Sequence, residues 1–507
     1  MVDQAPAELP SLSIAQEERR RLHHEADVVI VGAGILGSAL ASKLGRQGRS
    51  VLLLEKSLAQ PDRIVGELLQ PGGVTALQQL GLRDCLEDID AIPVHGYEVI
   101  YYGNGVEIPY VDRQTKSTSP DSASQRPEGR SFHHGRFVQK LRHAAINSPN
   151  VTVIETTVIS LIRSHCGRQV IGVLARTAGK EDFFFAPLTI ICDGYASKFR
   201  SEIHPHKPQS KSKFYGLELR DAVLPRPSSG HVILGSTSAP VLLYQIGTHE
   251  TRALIDVPEG LPSASFKNGG VKGHLRNVVL PGLPLEVRPS FEAALNEGKL
   301  RSMPNSWLPP STNRTPGLIL LGDAMNMRHP LTGGGMTVAL NDVLLFSDLL
   351  APANVPTFTN DDLVLKQMKV FHWRRKRLTS VINILAQALY ALFAANDPQL
   401  RALQKGCFRY FQFGGNCVDG PVGLLSGIIR RPFTLFYHFF AVALLSMGML
   451  FKEDDKALGK GGKSKAPSMH RNFASILAFP VAFLESMLVL WKACVVIFPY
   501  IYSELIP

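Results

Sequence analysis

Gly32, Gly34 and Gly37 stand in a G-x-G-x-x-G pattern directly after the apolar run 28–31. The first glycine of such a pattern makes a tight turn and the second lets backbone approach a pyrophosphate. The third lets the following helix pack on the strand, with its N-terminus facing the phosphates. A bare pattern of this kind also arises as an ordinary glycine turn. Here a strand-like run precedes it, helical spacing follows over 35–48, and Glu55 closes the next apolar run. A carboxylate at that place accepts hydrogen bonds from ribose hydroxyls and repels a 2′-phosphate. The expectation is a dinucleotide site that excludes NADPH.

Two further turns could serve the same ligand. Asp193-Gly194 ends the apolar run 188–191, and Gly322-Asp323 follows the run 318–321, with Gly333, Gly334 and Gly335 soon after. Alone, Asp193-Gly194 reads as an ordinary strand-end turn. The order of the turns along the chain resembles the FAD-dependent flavoprotein monooxygenase superfamily. On that resemblance Asp323 accepts from a ribityl hydroxyl, and the three glycines leave room for the isoalloxazine. The amides opening the helix at Met336 would stabilise negative charge on the ring. Arg136, at a helix start, takes the place of a flavin-contacting arginine; a surface salt bridge is its competing reading. Met325-Asn326 stands where the superfamily often has Ala-His.

A narrower resemblance is carried by PDRIVGELLQPGG (61–73), GRSFHHGRF, LTGGGMTVAL, NILAQALY, CVDGPVGLLS and VIFPYIYSE. These segments resemble the squalene epoxidase family, in its shorter fungal form, over roughly residues 26–506. The resemblance implies FAD contacts from Ile35, Leu36, Glu55, Lys56, Arg63, Arg136, Asp323 and Met336. It puts Tyr97 near the flavin, held by Gln70. Tyr244, Pro330, Leu331, Phe408, Phe411, Pro421 and His438 would line an apolar substrate tunnel. Plain core packing competes for most of the aromatics, and a satisfied core histidine competes for His438. The implied activity is epoxidation of squalene to 2,3-oxidosqualene with O2, in sterol biosynthesis on the cytosolic face of the endoplasmic reticulum membrane. With a single dinucleotide pattern, NADPH would act indirectly, through NADPH–cytochrome P450 reductase. Two other functions fit a related fold: an isoprenoid reductase, and a prenyl-lipid carrier without flavin.

The elements that must hold these residues follow from texture. Strand and helix alternate over 26–205, predicting a doubly wound α/β FAD-binding domain that residues 316–360 complete. Short Pro- and Gly-punctuated strands over 206–315 predict a mainly antiparallel β substrate domain. Residues 361–432 are predicted to be helical and to finish the substrate pocket. Residues 433–451 are almost uncharged and long enough to cross a bilayer, whereas 473–506 carries Pro480, Glu485, Lys492 and Pro499. Over 433–507 the expectation is a membrane-associated helical hairpin in one leaflet, with two crossings as the alternative. A Gly/Lys linker at 452–471, a mobile polar leader at 1–25 and a mobile loop at 117–129 complete the reading.

Composition narrows the classes. The chain has 507 residues, 45% hydrophobic and 19% charged, with a net charge of +11. No zinc-finger spacing or basic-aromatic array accompanies that charge, which argues against nucleic acid and fits anionic lipid. The basic run Arg374–Arg377 fits a solvated face or lipid headgroups. Six cysteines without a C-x-x-C pair predict reduced thiols and neither a disulfide framework nor a metal site.

Overall fold

The computed structural model describes residues 24–110, 126–235, 239–459 and 468–506. The leader up to residue 23, the loop at 117–125 and the linker at 460–467 lie outside the described residues.

Twelve strands matter for the site. They are β1 (Val28–Val31), β2 (Val51–Glu55), β3 (Gly96–Tyr101), β4 (Asn104–Pro109), β5 (Val151–Glu155), β6 (Leu188–Ile191), β7 (Gln209–Arg220), β8 (Gly230–Leu234), β9 (Val241–Gln245), β10 (Glu250–Pro258), β11 (Arg301–Trp307) and β12 (Leu318–Leu320). One sheet is wholly parallel in the order β12-β6-β1-β2-β5. Its strands are continuous apolar runs because both faces are covered. Helices α1 (Ile35–Arg46), α2 (Pro71–Gln79), α3 (His134–Ile146) and α4 (Gly335–Leu349) pack into the same core. The sheet therefore lines up three turns from distant sequence, at the ends of β1, β6 and β12. Ligands of open α/β sheets bind outside such strand ends.

The second sheet runs β11-β7-β10-β9-β8-β3-β4, antiparallel except where β8 pairs β3. The β3–β4 hairpin precedes residue 206 yet belongs to this sheet, so the substrate-side layer begins earlier than the change of texture at 206 suggests. Alternation marks a half-buried strand but not the sheet it joins. Residues 270–297, within the region predicted to be mainly antiparallel strand, are largely helical.

The C-terminal third is helical: α5 (Asp361–Ala394), α6 (Pro398–Gln412), α7 (Asn416–Leu425), α8 (Pro432–Gly459) and α9 (Ser468–Leu505). The helical stretch 362–412 breaks at Ala395, which adopts φ +42°, and restarts where Asp397 caps Leu400 N at 2.8 Å. The expected linker is shorter than 452–471, because helix extends to Gly459 and resumes at Ser468. Among the described residues, three helices are long and apolar enough to cross a bilayer. In α5 that segment is 67% buried in the protein, so its apolarity is core; in α8 and α9 it is 28% buried. Phe433, Tyr437, Leu444, Phe483, Leu484, Trp491, Phe498 and Tyr502 are all exposed on these two helices. An apolar face of that extent is consistent with membrane association.

Candidate active site

The glycine turn after β1 is forced by its surroundings. Gly32 sits at φ +102°, and a Cβ there would stand 2.7 Å from the Cys192 carbonyl oxygen. A Cβ on Gly37 would stand 1.9 Å from the Gly32 carbonyl oxygen, so the third glycine is what lets α1 meet β1. A Cβ on Gly34 would meet nothing within 4 Å, because that face opens into a cleft. Helix α1 has no side-chain cap and no acidic residue in its first turn, leaving its amides to an anion. Glu55 Oε2 accepts from Ala33 N at 2.7 Å, which fixes the carboxylate at the cleft edge.

The cleft, of about 540 Å³, runs from this turn to the underside of the second sheet. Gly32, Gly34, Ile35, Leu36, Glu55, Lys56, Arg63 and Asp193 line one end. Gly322, Asp323, Gly333, Gly335 and Met336 line the middle. Tyr97, Tyr244, Pro330 and Leu331 line the other end. Asp323 is exposed to the cleft, and a Cβ on Gly335, as on Gly34, would meet nothing within 4 Å. Open glycine faces, uncapped helix amides and two carboxylates along one trough fit the phosphates, ribose and ring of an FAD.

Some predicted residues act from behind the wall. Gln70 is fully buried and donates from Nε2 to the Tyr97 hydroxyl and, at 2.9 Å, to the Thr332 carbonyl oxygen; its Oε1 accepts from Tyr110 Oη at 2.8 Å. Burial pushes the Tyr97 phenol above its ordinary range, so it stays protonated. Gly334 faces α5, where a Cβ would stand 2.5 Å from Ile382 Cγ2.

The cleft arginine on α3 is Arg142, which corrects the expectation for Arg136. Arg136 points away, 3.7 Å from Asp90, as its competing reading held. Arg142 donates to the Ala33 and Ala59 carbonyl oxygens at 2.8 and 3.0 Å and lies 3.6 Å from Glu55. Six residues turn a helix about 600°, which leaves the two about 120° apart around its axis and off a common face. Phe408, Phe411, Pro421 and His438, expected along the substrate path, do not line the cleft itself. Helices α6, α7 and α8 close on one another. The Phe408 ring is 5.0 Å from that of Tyr101, His438 Nδ1 is 2.9 Å from Tyr410 Oη, and Gly420 makes room for the His438 ring. Phe408 and Phe411 nevertheless belong to one continuous apolar cluster with Tyr244 and Leu331.

Two further supports carry no sequence motif. Arg200 donates to the carbonyl oxygens of Gly194, Tyr195, Asp323 and Ala324 at 2.8–3.0 Å, tying the middle turn to the late one. Arg252 grips Glu67 in a buried bidentate pair at 2.8 and 2.9 Å, beside the Tyr244 hydroxyl. Burial pushes the Glu67 carboxyl up and the guanidinium pulls it back. An arginine followed by an apolar residue in a strand gave no signal for the first partner in sequence 185 residues away.

The squalene epoxidase family model matches residues 185–460, and an FAD-binding domain model matches 25–256. The squalene epoxidase of Aspergillus fumigatus is 58% identical over 98% of this chain and 97% of its own length. That of Gibberella zeae is 53% identical over 97% and 98%. Among solved structures, the flavin-dependent brominase Bmp2 superposes with a TM-score of 0.65 at 16% identity, covering 85% of this chain and all of its own.

Proposed function

The chain belongs to the squalene epoxidase family, and we propose that its single cleft holds FAD and squalene end to end. The protein is an FAD-dependent monooxygenase that epoxidises squalene in sterol biosynthesis. The observation that carries the arrangement is the continuity of the cleft, from the glycine turn after β1 to Tyr244 and Leu331.

FAD, once reduced and met by O2, supplies an electrophilic oxygen for an alkene. The chain's own residues do the rest. Gly32, Gly34 and the first turn of α1 take the pyrophosphate; Glu55, with Arg142 behind it, takes the ribose. Asp323 holds the ribityl chain, and Lys56, Arg63 and Asp193 complete the wall at the glycine end. Gly333, Gly335 and Met336 leave space for the ring, and α4 presents its N-terminus there. Tyr97, kept protonated and fixed by Gln70, presents a hydroxyl at the boundary between the two halves. Tyr244, Pro330 and Leu331 exclude water from the alkene, which favours oxygen transfer over loss of peroxide. Squalene has no polar handle, so its affinity comes from apolar area at roughly 25 cal/mol per Å². Phe408 and Phe411, in the same apolar cluster as Tyr244, extend its path toward α8 and α9, with Pro421 and His438 shaping the helices around it.

These helices anchor the enzyme in one leaflet of the endoplasmic reticulum membrane, on the cytosolic side. Mid-helix Lys492 is paired with Asp397 at 2.6 Å, which suits a helix lying on the body better than one crossing lipid. The acidic Glu55 turns NADPH away from the glycine turn, so electrons come through NADPH–cytochrome P450 reductase. Purified full-length protein in detergent, given squalene, O2 and NADPH, should turn over only when that reductase is added. Full turnover without it overturns the electron route.

A further inference from the structure

Glu504 lies in the last turn of α9, a helix with an exposed apolar face, yet it is 3% exposed. Its carboxylate accepts from Asn383 Nδ2 at 2.7 Å and from Ser380 Oγ at 3.2 Å, both on α5. Lys376, one turn earlier on α5, donates to the Glu504 main-chain carbonyl and, at 3.4 Å, to that of Ile506. A cation there satisfies acceptors that a helix end leaves open. A carboxylate on a membrane-facing helix is costly and marks a role beyond packing. Apolar contacts of Val489, Ala493, Val496 and Ile497, together with the Lys492–Asp397 pair, already seat α9.

The hydrogen bonds continue from Asn383 into the cleft wall. Asn326 Oδ1 accepts from Asn383 Nδ2 at 3.2 Å, from Arg328 Nη2 at 2.8 Å and from Arg375 Nη2 at 3.5 Å. Asn326 is the residue that replaces the superfamily histidine, and it is fully buried. Arg375 is itself fixed by Asp342, at 3.0 and 2.7 Å. Arg328 lines the cleft. Burial works against its charge, and the carboxylates of Asp323, Asp342 and Glu504 work for it. Arg375 adds to the effect of burial, and one of the three carboxylates that offset it thus comes from the C-terminal helix.

We propose that Glu504 is a positioning residue for the cleft: through Asn383 and Asn326 it holds Arg328 beside the Asp323 turn, so that seating of the C-terminal helix sets flavin affinity. This rests on the reading of the cleft as the FAD site.

The test uses the full chain in detergent micelles, with FAD affinity read by flavin fluorescence, the visible flavin band recorded, and melting measured without FAD. Glu504→Ala and Asn383→Ala should each weaken FAD binding about tenfold and shift the band, as loss of one charge-assisted hydrogen bond would. The double variant should be no weaker than the worse single one, because both act along one path. Glu504→Gln keeps an acceptor without the charge and should fall between, which carries the test if the alanine variant does not fold. Tyr502→Ala, exposed on the same helix, should bind FAD normally. Lowered melting with unchanged FAD affinity and band in the Glu504 variants would reduce Glu504 to an anchor and overturn the proposal, as would additive losses in the double variant. Failure of the unaltered chain to bind FAD would instead overturn the flavin reading beneath it.

Discussion

The two ends of the cleft are built by different physics. At the glycine end, backbone makes the site: uncapped amides, turns where a Cβ cannot fit, and carboxylates fixed by main-chain donors. At the other end, side chains of the second sheet and the late turn line the cleft, and the C-terminal helices pack behind them in the same apolar cluster. Backbone sites tolerate few residue types at few positions, whereas packed apolar sites tolerate many. Substitutions should therefore act sharply and locally at the first end, and diffusely at the second unless they strike the buried Glu67–Arg252 ion pair.

That pair gives the largest expected effect. Arg252→Ala leaves Glu67 buried and unpaired, which should cost roughly 3–5 kcal/mol of stability, read as a fall in melting temperature. Replacing both residues by apolar ones should restore most of it; no recovery would mean that the pair does more than fill its site. Next comes Asp323→Ala, which should weaken FAD binding about tenfold to a hundredfold while melting without FAD stays nearly constant. Unchanged flavin content would break the contrast between the two ends.

A smaller effect is a pH dependence. Burial lowers His134 and His231 from 6.5 to about 4 and His329 to about 3. The unfolded chain then binds more protons than the folded one between these values. Their contribution to stability is complete above the ordinary value of 6.5 and is lost as pH falls toward 4, by up to about 1.4 kcal/mol per group per pH unit. Melting measured across that range should slope accordingly, and His134→Gln should make the slope shallower; a flat profile contradicts the buried neutral histidines. The smallest effect is Tyr97→Phe. Gln70 keeps its bond to Thr332, so stability should change by less than about 1 kcal/mol. The turnover number should fall several-fold at constant KM for squalene, and a changed KM instead would move Tyr97 from the reaction to substrate binding.

The same contrast explains what the sequence made legible. Gly32, Gly34 and Gly37, Glu55 and Asp323 could be read because backbone geometry dictates their types and spacing. The parallel sheet could be read from its continuous apolar runs, and the two apolar C-terminal helices from their length. Arg142 was missed for Arg136 because a helix face is settled only once the helix is docked. Arg200, the Glu67–Arg252 pair and Glu504 join positions far apart in sequence, and single charged residues carry no record of their partner. The sheet that the β3–β4 hairpin joins could not be read, because alternation is the same in either sheet. Phe408 and Phe411 read as tunnel residues by resemblance, while the structure packs them beyond the cleft.

The central claim is that one cleft brings reduced flavin, O2 and a hydrocarbon together away from water. Its most direct test is product analysis with squalene, isotopically labelled O2, FAD and reductase. The account predicts 2,3-oxidosqualene carrying one labelled oxygen atom, and none of it under anaerobic conditions. A saturated isoprenoid product, or an oxygen derived from water, would contradict it.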